Sequence, residues 1–341
     1  MEELGNAVRE GPRELLGPVV NPTIGKKVGN HVSSDHLSSL RQGHLGGLRQ
    51  SRRASPQGRG QGGSLQLRQR AGQRRTAVAP PRTMRGDAAR RWQHDLAAWS
   101  LPESITSAAP QSPWIHPPVL FEVPEVIDTN PSHERAREAL DDGASVLDVG
   151  CGGGIAAFAL TPPATRVIGV DHQGEMLEMF AANASRRGVA AQTFEGYWPA
   201  IANEVPRAQV VTAHHVVYNV GDIVPFLRAL SDHASRRVVL EMPERHPLST
   251  LSGAWRHFWR IERPEDPTPD DLLAVLAEMG IDASIQRWSG SLRAEQDLDQ
   301  AAHFTRIRLC LGAERESEVR DYLRANPTPS TRELATIWWD V

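Results

Sequence analysis

The 341-residue sequence carries 38 Lys and Arg against 41 Asp and Glu, with 40% hydrophobic and 23% charged residues. These values are ordinary for a globular protein, and because no run of about 18 apolar residues occurs, we expect no membrane span. The two cysteines, Cys151 and Cys310, lack metal-ligand spacing, and the N-terminus lacks the pattern of a secretory signal. We therefore expect no disulfide framework, no structural zinc site and a cytoplasmic location.

The first 83 residues differ in composition from the rest of the chain. All 19 aromatic residues lie after position 83, and residues 1–83 carry a net charge of +9 against −12 for residues 84–341. The stretch from Ser51 to Arg75 consists mostly of Arg, Gly, Gln and Ser, which bury too little apolar surface to offset the entropy of ordering. Residues 1–83 are therefore predicted to be a disordered basic extension.

Three interpretations of this extension remain open. It could be a nucleic-acid-binding tail, since basic segments find phosphates electrostatically. It could lie outside the working protein, with Met84 as the true start, or it could be a targeting peptide. The predicted organisation is the extension 1–83, an N-terminal cap 84–144, a catalytic domain 145–312, and a C-terminal helix and tail 313–341.

Helical spacing over Ala88–Trp99 predicts the first helix, with Trp92, Leu96 and Trp99 on one face. The proline-rich stretch Pro102–Pro124 then predicts an irregular segment of the cap. Ser132 is predicted to cap a short helix over Glu134–Leu140.

Strand-like and helix-like segments alternate in the rest of the chain. The predicted strands are Ser145–Val149, Arg166–Val170, Ala191–Phe194, Gln209–Ala213, Arg236–Glu241, Ser284–Trp288 and Phe304–Leu311. The predicted helices are Ile155–Leu160, Gly174–Arg187, Ile223–His233 and Asp270–Met279. Crossover helices between strands predict a doubly wound, Rossmann-like α/β sheet. Because Gly290–Gln300 shows no strong helix, the last strand is predicted to be antiparallel.

A glycine-rich turn follows the first predicted strand, in the sequence from Val146 to Gly154. Glycine is needed there because a Cβ would block both the sharp turn and the approach of a ligand to the backbone. Asp171 ends the next strand 21 residues after Gly150, close to the roughly 20 expected for an acid that binds ribose hydroxyls. This pattern indicates a nucleotide-containing cofactor at the carboxyl ends of two neighbouring strands.

The glycine pattern alone leaves two classes of enzyme open. The segment Gly152–Ala157 also fits the G-x-G-x-x-A pattern of nicotinamide-dependent oxidoreductases. Two features argue against that class. Asp148 places a carboxylate inside an otherwise apolar strand, and Thr161-Pro162-Pro163 ends the following helix early.

The segments Val146–Gly154, Gly169–Asp171 and Glu175–Leu177 together resemble the motifs of class I S-adenosylmethionine-dependent methyltransferases, and the resemblance covers about residues 145–312. It implies a seven-stranded sheet with an antiparallel last strand, and S-adenosyl-L-methionine as cofactor. It also implies a role for each matching residue. Asp171 would hold the ribose hydroxyls, His172 would lie beside the adenine, and the methionine part would be surrounded by Asp148, Gly150, Gly152 and Gly154.

The chain departs from this pattern after the third strand, where many members have Gly-Asp and this sequence has Glu195-Gly196. Either Glu195 or a backbone group such as that of Gly196 would then contact the adenine. His214 is expected to pack near the cofactor. The candidates for a general base are His214, His215, His246 and Glu241, and each could equally be structural.

Several classes of methyl acceptor are excluded by absent features. No Asn/Asp-Pro-Pro-aromatic motif follows the fourth strand, no cysteine is placed for attack on a pyrimidine, and residues 84–341 are acidic. We therefore expect a small-molecule acceptor, and neither nucleic acid nor membrane as a partner of the folded part. The alternatives are a non-catalytic or RNA-associated protein with the same fold, or an NAD(P)-dependent oxidoreductase.

Aromatic residues of the cap and of the insert after the fifth strand are predicted to line the acceptor pocket. The cap residues are Trp92, Trp99, Trp114 and Phe121. In the insert, Trp255 and Trp259 are four residues apart, so they could instead form the core face of one helix.

Overall fold

A computed structural model of the chain describes residues 86–114, 121–291 and 297–341. The predicted disordered extension and the alternative start at Met84 lie outside the described residues. None of the described helices has both the length and the apolar character needed to cross a membrane.

A seven-stranded sheet forms the centre of the described chain, in the order β3-β2-β1-β4-β5-β7-β6. The strands β1 to β5 are parallel, and β7 runs antiparallel to both β5 and β6. The strands are β1 Ser145–Val149, β2 Arg166–Asp171, β3 Ala190–Glu195, β4 Ala208–His214, β5 Ala234–Pro243, β6 Ser284–Ser291 and β7 Thr331–Asp340. The predicted Rossmann-like fold with an antiparallel last strand is confirmed, and each of the first six predicted strands ends within three residues of its observed bounds.

Helices cover both faces of this sheet. They are α1 Asp87–Ala97, α2 Glu103–Thr106, α3 Pro131–Arg137, α4 Ile155–Phe158, α5 Gly174–Arg187, α6 Ile223–His233, α7 Ser252–Trp259, α8 Pro269–Glu278, α9 Leu298–Arg308 and α10 Glu316–Ala325. Helices α5 and α6 match their predicted bounds, because their apolar faces repeat at helical spacing and each end is marked by a turn residue or a change of period.

The predicted seventh strand was wrong. Residues Phe304–Leu311 lie on helix α9 and the turn after it, and the true β7 begins at Thr331. The apolar residues Ile307, Leu309 and Leu311 alternate as in a strand, but Leu309 and Leu311 pack in a cluster with Val319 of α10 instead of joining the sheet. The sheet therefore extends to Asp340, beyond the predicted domain end at residue 312.

The predicted cap of α3 was also wrong. Asn130 is the N-cap, since its side chain accepts a hydrogen bond of 2.9 Å from the His133 N–H, and Pro131 takes the first helical position. Ser132 is fully buried inside the first turn, where its hydroxyl lies 2.6 Å from the Thr336 hydroxyl on β7. This contact ties the start of α3 to the sheet.

The first helix of the cap packs against the sheet through α6 and α8. Trp92 is fully buried in the same cluster as Phe226 and Leu272, and its indole N–H donates to the Val220 carbonyl at 2.8 Å. The Glu278 carboxylate accepts hydrogen bonds from the first backbone N–H groups of α1, at 2.9 and 3.0 Å. Trp92 is thus a core residue, so its predicted role as a pocket wall was wrong.

A separate cluster forms where α7, α9 and α10 meet. Trp255 is buried there with Leu309 and Val319, and its ring lies 6.4 Å from that of the half-buried Trp259. This packing favours the alternative in which Trp255 and Trp259 form the core face of one helix.

Candidate functional site

The turn after β1 adopts a conformation that requires glycine. Gly150, Gly152 and Gly154 have φ angles of 70°, 50° and 97°, in the left-handed region that other residues rarely adopt. At Gly153 a Cβ atom would lie 2.0 Å from the Phe121 carbonyl oxygen. The cap chain therefore crosses directly over the loop at Phe121, whose role as a wall of the acceptor pocket stays a prediction.

Asp171, at the end of β2, faces this loop. Its Oδ2 accepts a hydrogen bond of 3.0 Å from the Gly152 N–H, and its Oδ1 accepts one of 3.1 Å from the Gln173 N–H. His172 Nδ1 also lies 3.4 Å from Oδ1, so Oδ2 is the oxygen that keeps a lone pair for a further donor. The acid and the glycine loop thus form one polar edge at the carboxyl ends of β1 and β2.

Asp148 is buried inside the sheet and is only partly satisfied. Its Oδ1 accepts a hydrogen bond of 2.9 Å from the Thr212 hydroxyl on β4, whereas its Oδ2 has no partner among the described residues. Burial raises the pKa of Asp148 to about 7, against the opposing effect of the Thr212 hydrogen bond. An unsatisfied buried carboxylate oxygen is costly, so its presence favours a missing hydrogen-bond donor at this position.

An aromatic pair marks the ends of β2 and β3. The His172 and Tyr197 rings stack at 5.0 Å and 24°, and the Gly196 N–H donates to the Asp171 carbonyl at 2.9 Å. Glu195 pairs with Asp171 in the sheet and lies near the start of α5. Tyr197 was missed in the sequence analysis, where only an acid or a glycine was considered at this strand end.

His214, at the end of β4, is buried and neutral. Burial lowers its pKa to about 4, although the nearby Glu241 carboxylate raises it. Its Nδ1 lies 4.0 Å from Glu241 Oε2, and its Nε2 is buried without a partner in the described part of the chain. Because Thr212 and His214 are two residues apart on β4, His214 lies on the same face of the sheet as Asp148.

The next residue, His215, forms a pair with Glu241. Its Nε2 lies 3.0 Å from Glu241 Oε1, and its backbone N–H donates to the Glu241 carbonyl at 2.7 Å. The backbone of His215 has φ 60°, a left-handed conformation that is unfavourable for a residue with a Cβ. Its side chain is 40% exposed, so the imidazole is accessible to a bound molecule.

Glu241 is held at the centre of this group by the start of α3. Asn130 Nδ2 donates to its Oε2 at 3.0 Å, and Ser132 also donates to the carboxylate. Burial alone would raise the pKa of Glu241, but the charges of His214 and His215 in their protonated forms and the hydrogen bonds from His215 and Ser132 lower it well below its usual value. Glu241 is thus ionised at neutral pH. Asn130 and Ser132 were missed as site residues because their contacts with β5 span more than 100 positions in sequence.

His246 lies in a different cluster from His214 and His215. Its ring stacks on Trp99 at 4.2 Å and meets the edge of Tyr218 at 5.5 Å, and its Nδ1 accepts from the Leu248 N–H at 3.2 Å. Burial lowers the pKa of His246 to about 4, so it is neutral. The structure thus brings together the predicted residues at the ends of β1 to β5, with His246 beside them in the aromatic cluster.

Similarity to known proteins agrees with this arrangement. Residues 146–235, from β1 to the start of β5, match the family described as a methyltransferase domain. The chain therefore contains a methyltransferase domain, of the class I S-adenosylmethionine-dependent type that its motifs resemble. It is therefore an enzyme whose cofactor is S-adenosyl-L-methionine.

Individual relatives of the methyltransferase share different portions of it. An uncharacterized protein of Haemophilus influenzae is 30% identical over 211 residues, which are 58% of this chain and 76% of that protein. A ribosomal protein L11 methyltransferase of Ectopseudomonas mendocina is 35% identical over 113 residues, so the match spans only 38% of that enzyme and 32% of this chain. Among solved structures, the YcgJ protein of Bacillus subtilis aligns with a TM-score of 0.43 at 18% identity, over 61% of this chain and 97% of that one.

Neither cysteine of the methyltransferase is placed as a nucleophile. Cys151 and Cys310 are both free and buried, and burial raises the pKa of Cys310 to about 11. Within the described ranges, no group of three His, Cys, Asp or Glu side chains has the arrangement of a metal site.

Proposed function

We propose that this methyltransferase transfers a methyl group to a small organic acceptor whose accepting atom gives up a proton to His215. The observation that carries this proposal is the 3.0 Å contact between His215 Nε2 and the buried carboxylate of Glu241. The pair lies at the carboxyl ends of β4 and β5, beside the strands that carry the glycine loop and Asp171. In open α/β sheets, this edge is where ligands bind.

The residues at the ends of β1, β2 and β3 fit the cofactor. The unpartnered Oδ2 of Asp148 offers an acceptor for the cofactor's ammonium group, and the remaining lone pair of Asp171 Oδ2 offers an acceptor for a ribose hydroxyl. The stacked rings of His172 and Tyr197 offer a flat apolar surface for the adenine. When bound there, S-adenosyl-L-methionine supplies a methyl group already activated by its sulfonium centre.

The role of the protein is then to align the acceptor and to remove its proton. Holding two reactants in the reactive geometry can supply roughly 7–11 kcal/mol of the barrier. With its Nε2 hydrogen-bonded to Glu241, the His215 imidazole keeps the Nδ1 lone pair free to accept a proton. The ionised Glu241 stabilises the imidazolium that forms, as a carboxylate does in other histidine pairs.

His214 has a different role in this proposal. It is neutral and buried, and its Nε2 has no partner among the described residues. It therefore suits a hydrogen bond to a bound molecule and packing beside the cofactor. The acceptor releases one proton, which His215 accepts, so His214 does not need to be protonated for methyl transfer.

A small organic acceptor is favoured over a macromolecule by charge and by the comparisons. Residues 84–341 carry a net charge of −12, which repels the phosphate backbone of nucleic acids. The L11 methyltransferases match less than half of their own length, so their similarity supports the transfer chemistry and not a ribosomal acceptor.

The test uses purified full-length enzyme, radiolabelled S-adenosyl-L-methionine and a cell extract separated into small molecules, protein and RNA. We expect micromolar binding of S-adenosylhomocysteine by calorimetry and transfer of label to the small-molecule fraction. Label recovered in protein would show that the acceptor is a protein. Label in RNA would favour RNA binding by residues 1–83. Binding of NADH in place of S-adenosylhomocysteine would overturn the proposal altogether.

A further inference from the structure

Arg332 lies close to the candidate site, at the start of β7. It pairs with Gly290 of β6 and is four residues before Thr336, which pairs with Glu241 of β5. Because side chains two and four residues apart on a strand share a face, Arg332 lies on the face of the sheet that carries Glu241. Since β7 runs antiparallel to β5, Arg332 lies about 13 Å beyond Thr336 along the strand, past the carboxyl end of β5.

The guanidinium of Arg332 is half-buried and has no acid as partner among the residues that the structure describes. Burial lowers its pKa, and none of the hydrogen bonds or ion pairs of the described chain involves its side chain. Other arginines on the same sheet are paired: Arg287 contacts Glu244 at 2.8 Å, and Arg237 contacts Asp340 at 2.7 Å. A cation that is partly removed from water without a counter-charge is unfavourable, so its position favours a bound anion.

Tyr218 follows β4 and lies within the influence of both Arg332 and Glu241. The pKa of Tyr218 is raised well above its usual value, chiefly by burial, while Arg332 lowers it and Glu241 raises it. The phenol is therefore protonated and able to donate a hydrogen bond. Its ring is fixed by the edge contact with His246, which itself stacks on Trp99. Arg332 and the Tyr218 hydroxyl are thus two donors on the side of the sheet where β4 and β5 end at His215 and Glu241.

We propose that Arg332 and the Tyr218 hydroxyl bind a carboxylate group of the methyl acceptor, so that this methyltransferase acts on small organic acids. The inference rests on the proposed function and names the substrate class for that site. A guanidinium binds a carboxylate through two parallel hydrogen bonds, which orient the ligand as well as hold it. One end of the acceptor is then anchored at Arg332, and its accepting atom is directed toward His215.

The same arrangement explains selection against uncharged acceptors. A neutral molecule bound beside Arg332 would cover its guanidinium without supplying a negatively charged hydrogen-bond acceptor. A site built for a charged partner rejects ligands that lack it, because the buried donors are then left unpaired.

The experiment separates the small-molecule extract on an anion-exchange resin into retained and unretained pools. Each pool is assayed with radiolabelled S-adenosyl-L-methionine and full-length enzyme. We expect labelled product from the retained, anionic pool. The variants Arg332→Gln and Tyr218→Phe should require more of that pool for half-maximal rate, roughly ten- to a hundredfold for the first and less for the second, with the maximal rate nearly unchanged.

The matched controls are Arg236→Gln and Arg332→Lys. Arg236 is a half-exposed arginine at the amino end of β5, paired with Asp141 at 3.0 Å, and its substitution should leave the half-saturating amount unchanged. Arg332→Lys keeps the charge and should recover part of the loss. Each variant is also checked for its thermal midpoint and for S-adenosylhomocysteine affinity, which should equal those of the wild-type enzyme.

The outcomes separate this inference from the proposed function. Product from the unretained pool, or an Arg332→Gln enzyme with wild-type half-saturation, overturns the carboxylate subsite and leaves methyl transfer intact. Wild-type enzyme that binds no S-adenosylhomocysteine and labels neither pool overturns both.

Discussion

At the scale of single residues, the site contains two buried groups that are unfavourable in the protein alone. Asp148 Oδ2 and His214 Nε2 are both buried without a partner among the described residues, on one face of neighbouring strands. Active sites accumulate such groups because a ligand satisfies them. These two groups should therefore destabilise the cofactor-free fold and strengthen the binding of the ligand.

Asp148→Asn should stabilise the cofactor-free enzyme and weaken its binding of S-adenosylhomocysteine. The pKa of Asp148 is about 7 in the folded state, against an ordinary value of 3.8 for an aspartate in the unfolded chain. The free energy of unfolding therefore includes the full contribution of protonated Asp148 below about pH 4. This contribution is lost as the pH rises to 7. The loss is on the order of 4 kcal/mol for three pKa units. Urea unfolding at pH 8 should show the variant more stable by a few kcal/mol, with a smaller difference at pH 5.

The control for this measurement is Asp141→Asn, which changes an exposed acid whose pKa is lowered by Gln209 and Arg236. It should not stabilise the protein at pH 8. An Asp148→Asn protein that is less stable than wild type at pH 8, or that binds S-adenosylhomocysteine as tightly, would contradict the assignment of Asp148 to the cofactor site.

His215→Ala should lower the maximal rate roughly 10²- to 10⁴-fold, the usual contribution of a general base, with little change in S-adenosylhomocysteine affinity. The matched control is His303→Ala, because His303 also pairs with a glutamate, Glu316 at 3.1 Å, on the exposed face of α9. Rates are measured with the labelled donor and the small-molecule extract. Equal rates for the two variants would show that His215 is structural.

At the scale of elements, the position of β7 decides how the sheet is completed. β7 lies between β5 and β6 and pairs with both, and its central residues from Leu334 to Ile337 are buried. Trp339 anchors its end, since its indole N–H donates to the Ser231 hydroxyl of α6 at 3.0 Å. Without β7, β6 has no neighbouring strand in the described sheet, and Glu241 loses its cross-strand neighbour Thr336.

A chain that ends at Gly312 should therefore not fold. It would expose β5 along its length and remove the buried side chains of β7, such as Ile337 and Trp339, each worth roughly 2–5 kcal/mol. That loss, together with the lost pairing of β5 and β6 with β7, is comparable to the usual stability of about 5–15 kcal/mol. The measurement is circular dichroism with thermal unfolding, and a chain lacking only Val341 serves as the control. A cooperative transition in the short chain would show that the domain ends at residue 312 after all.

At the scale of the whole molecule, the cap and the sheet build the site together. The cap reaches the sheet through Trp92 and crosses the glycine loop at Phe121, while α3 supplies Asn130 to Glu241. The predicted domain organisation assigns all of these residues to the cap and catalytic domain.

An enzyme that begins at Met84 should therefore keep the thermal midpoint and the S-adenosylhomocysteine affinity of the full chain. The full chain should differ from it only in binding polyanions, since residues 1–83 carry a net charge of +9. Differential scanning calorimetry, titration calorimetry and a heparin-binding assay make the comparison. Loss of cofactor binding in the shorter enzyme would show that the extension belongs to the working protein.

The sequence by itself determined the parts of this protein that depend on local order. The alternation of strands and helices, the glycine turn and the acid at Asp171 are all contained within short segments, whose periodicity and turn residues specify them. The resemblance carried by these segments was enough to predict the methyltransferase family and its cofactor.

Only the tertiary structure decided which chain segment is β7 and which side chains surround the histidines. Phe304–Leu311 alternates like a strand, whereas Thr331–Asp340 has a continuous buried run from Leu334 to Ile337, and the choice between them depends on which one can be buried against β5. Glu241 accepts a hydrogen bond from Asn130, which is 111 residues away in sequence, and the charge of Arg332 acts on Tyr218, which is similarly distant. Such contacts leave no local pattern, because their energy comes from burial and pairing that exist only after the chain has folded.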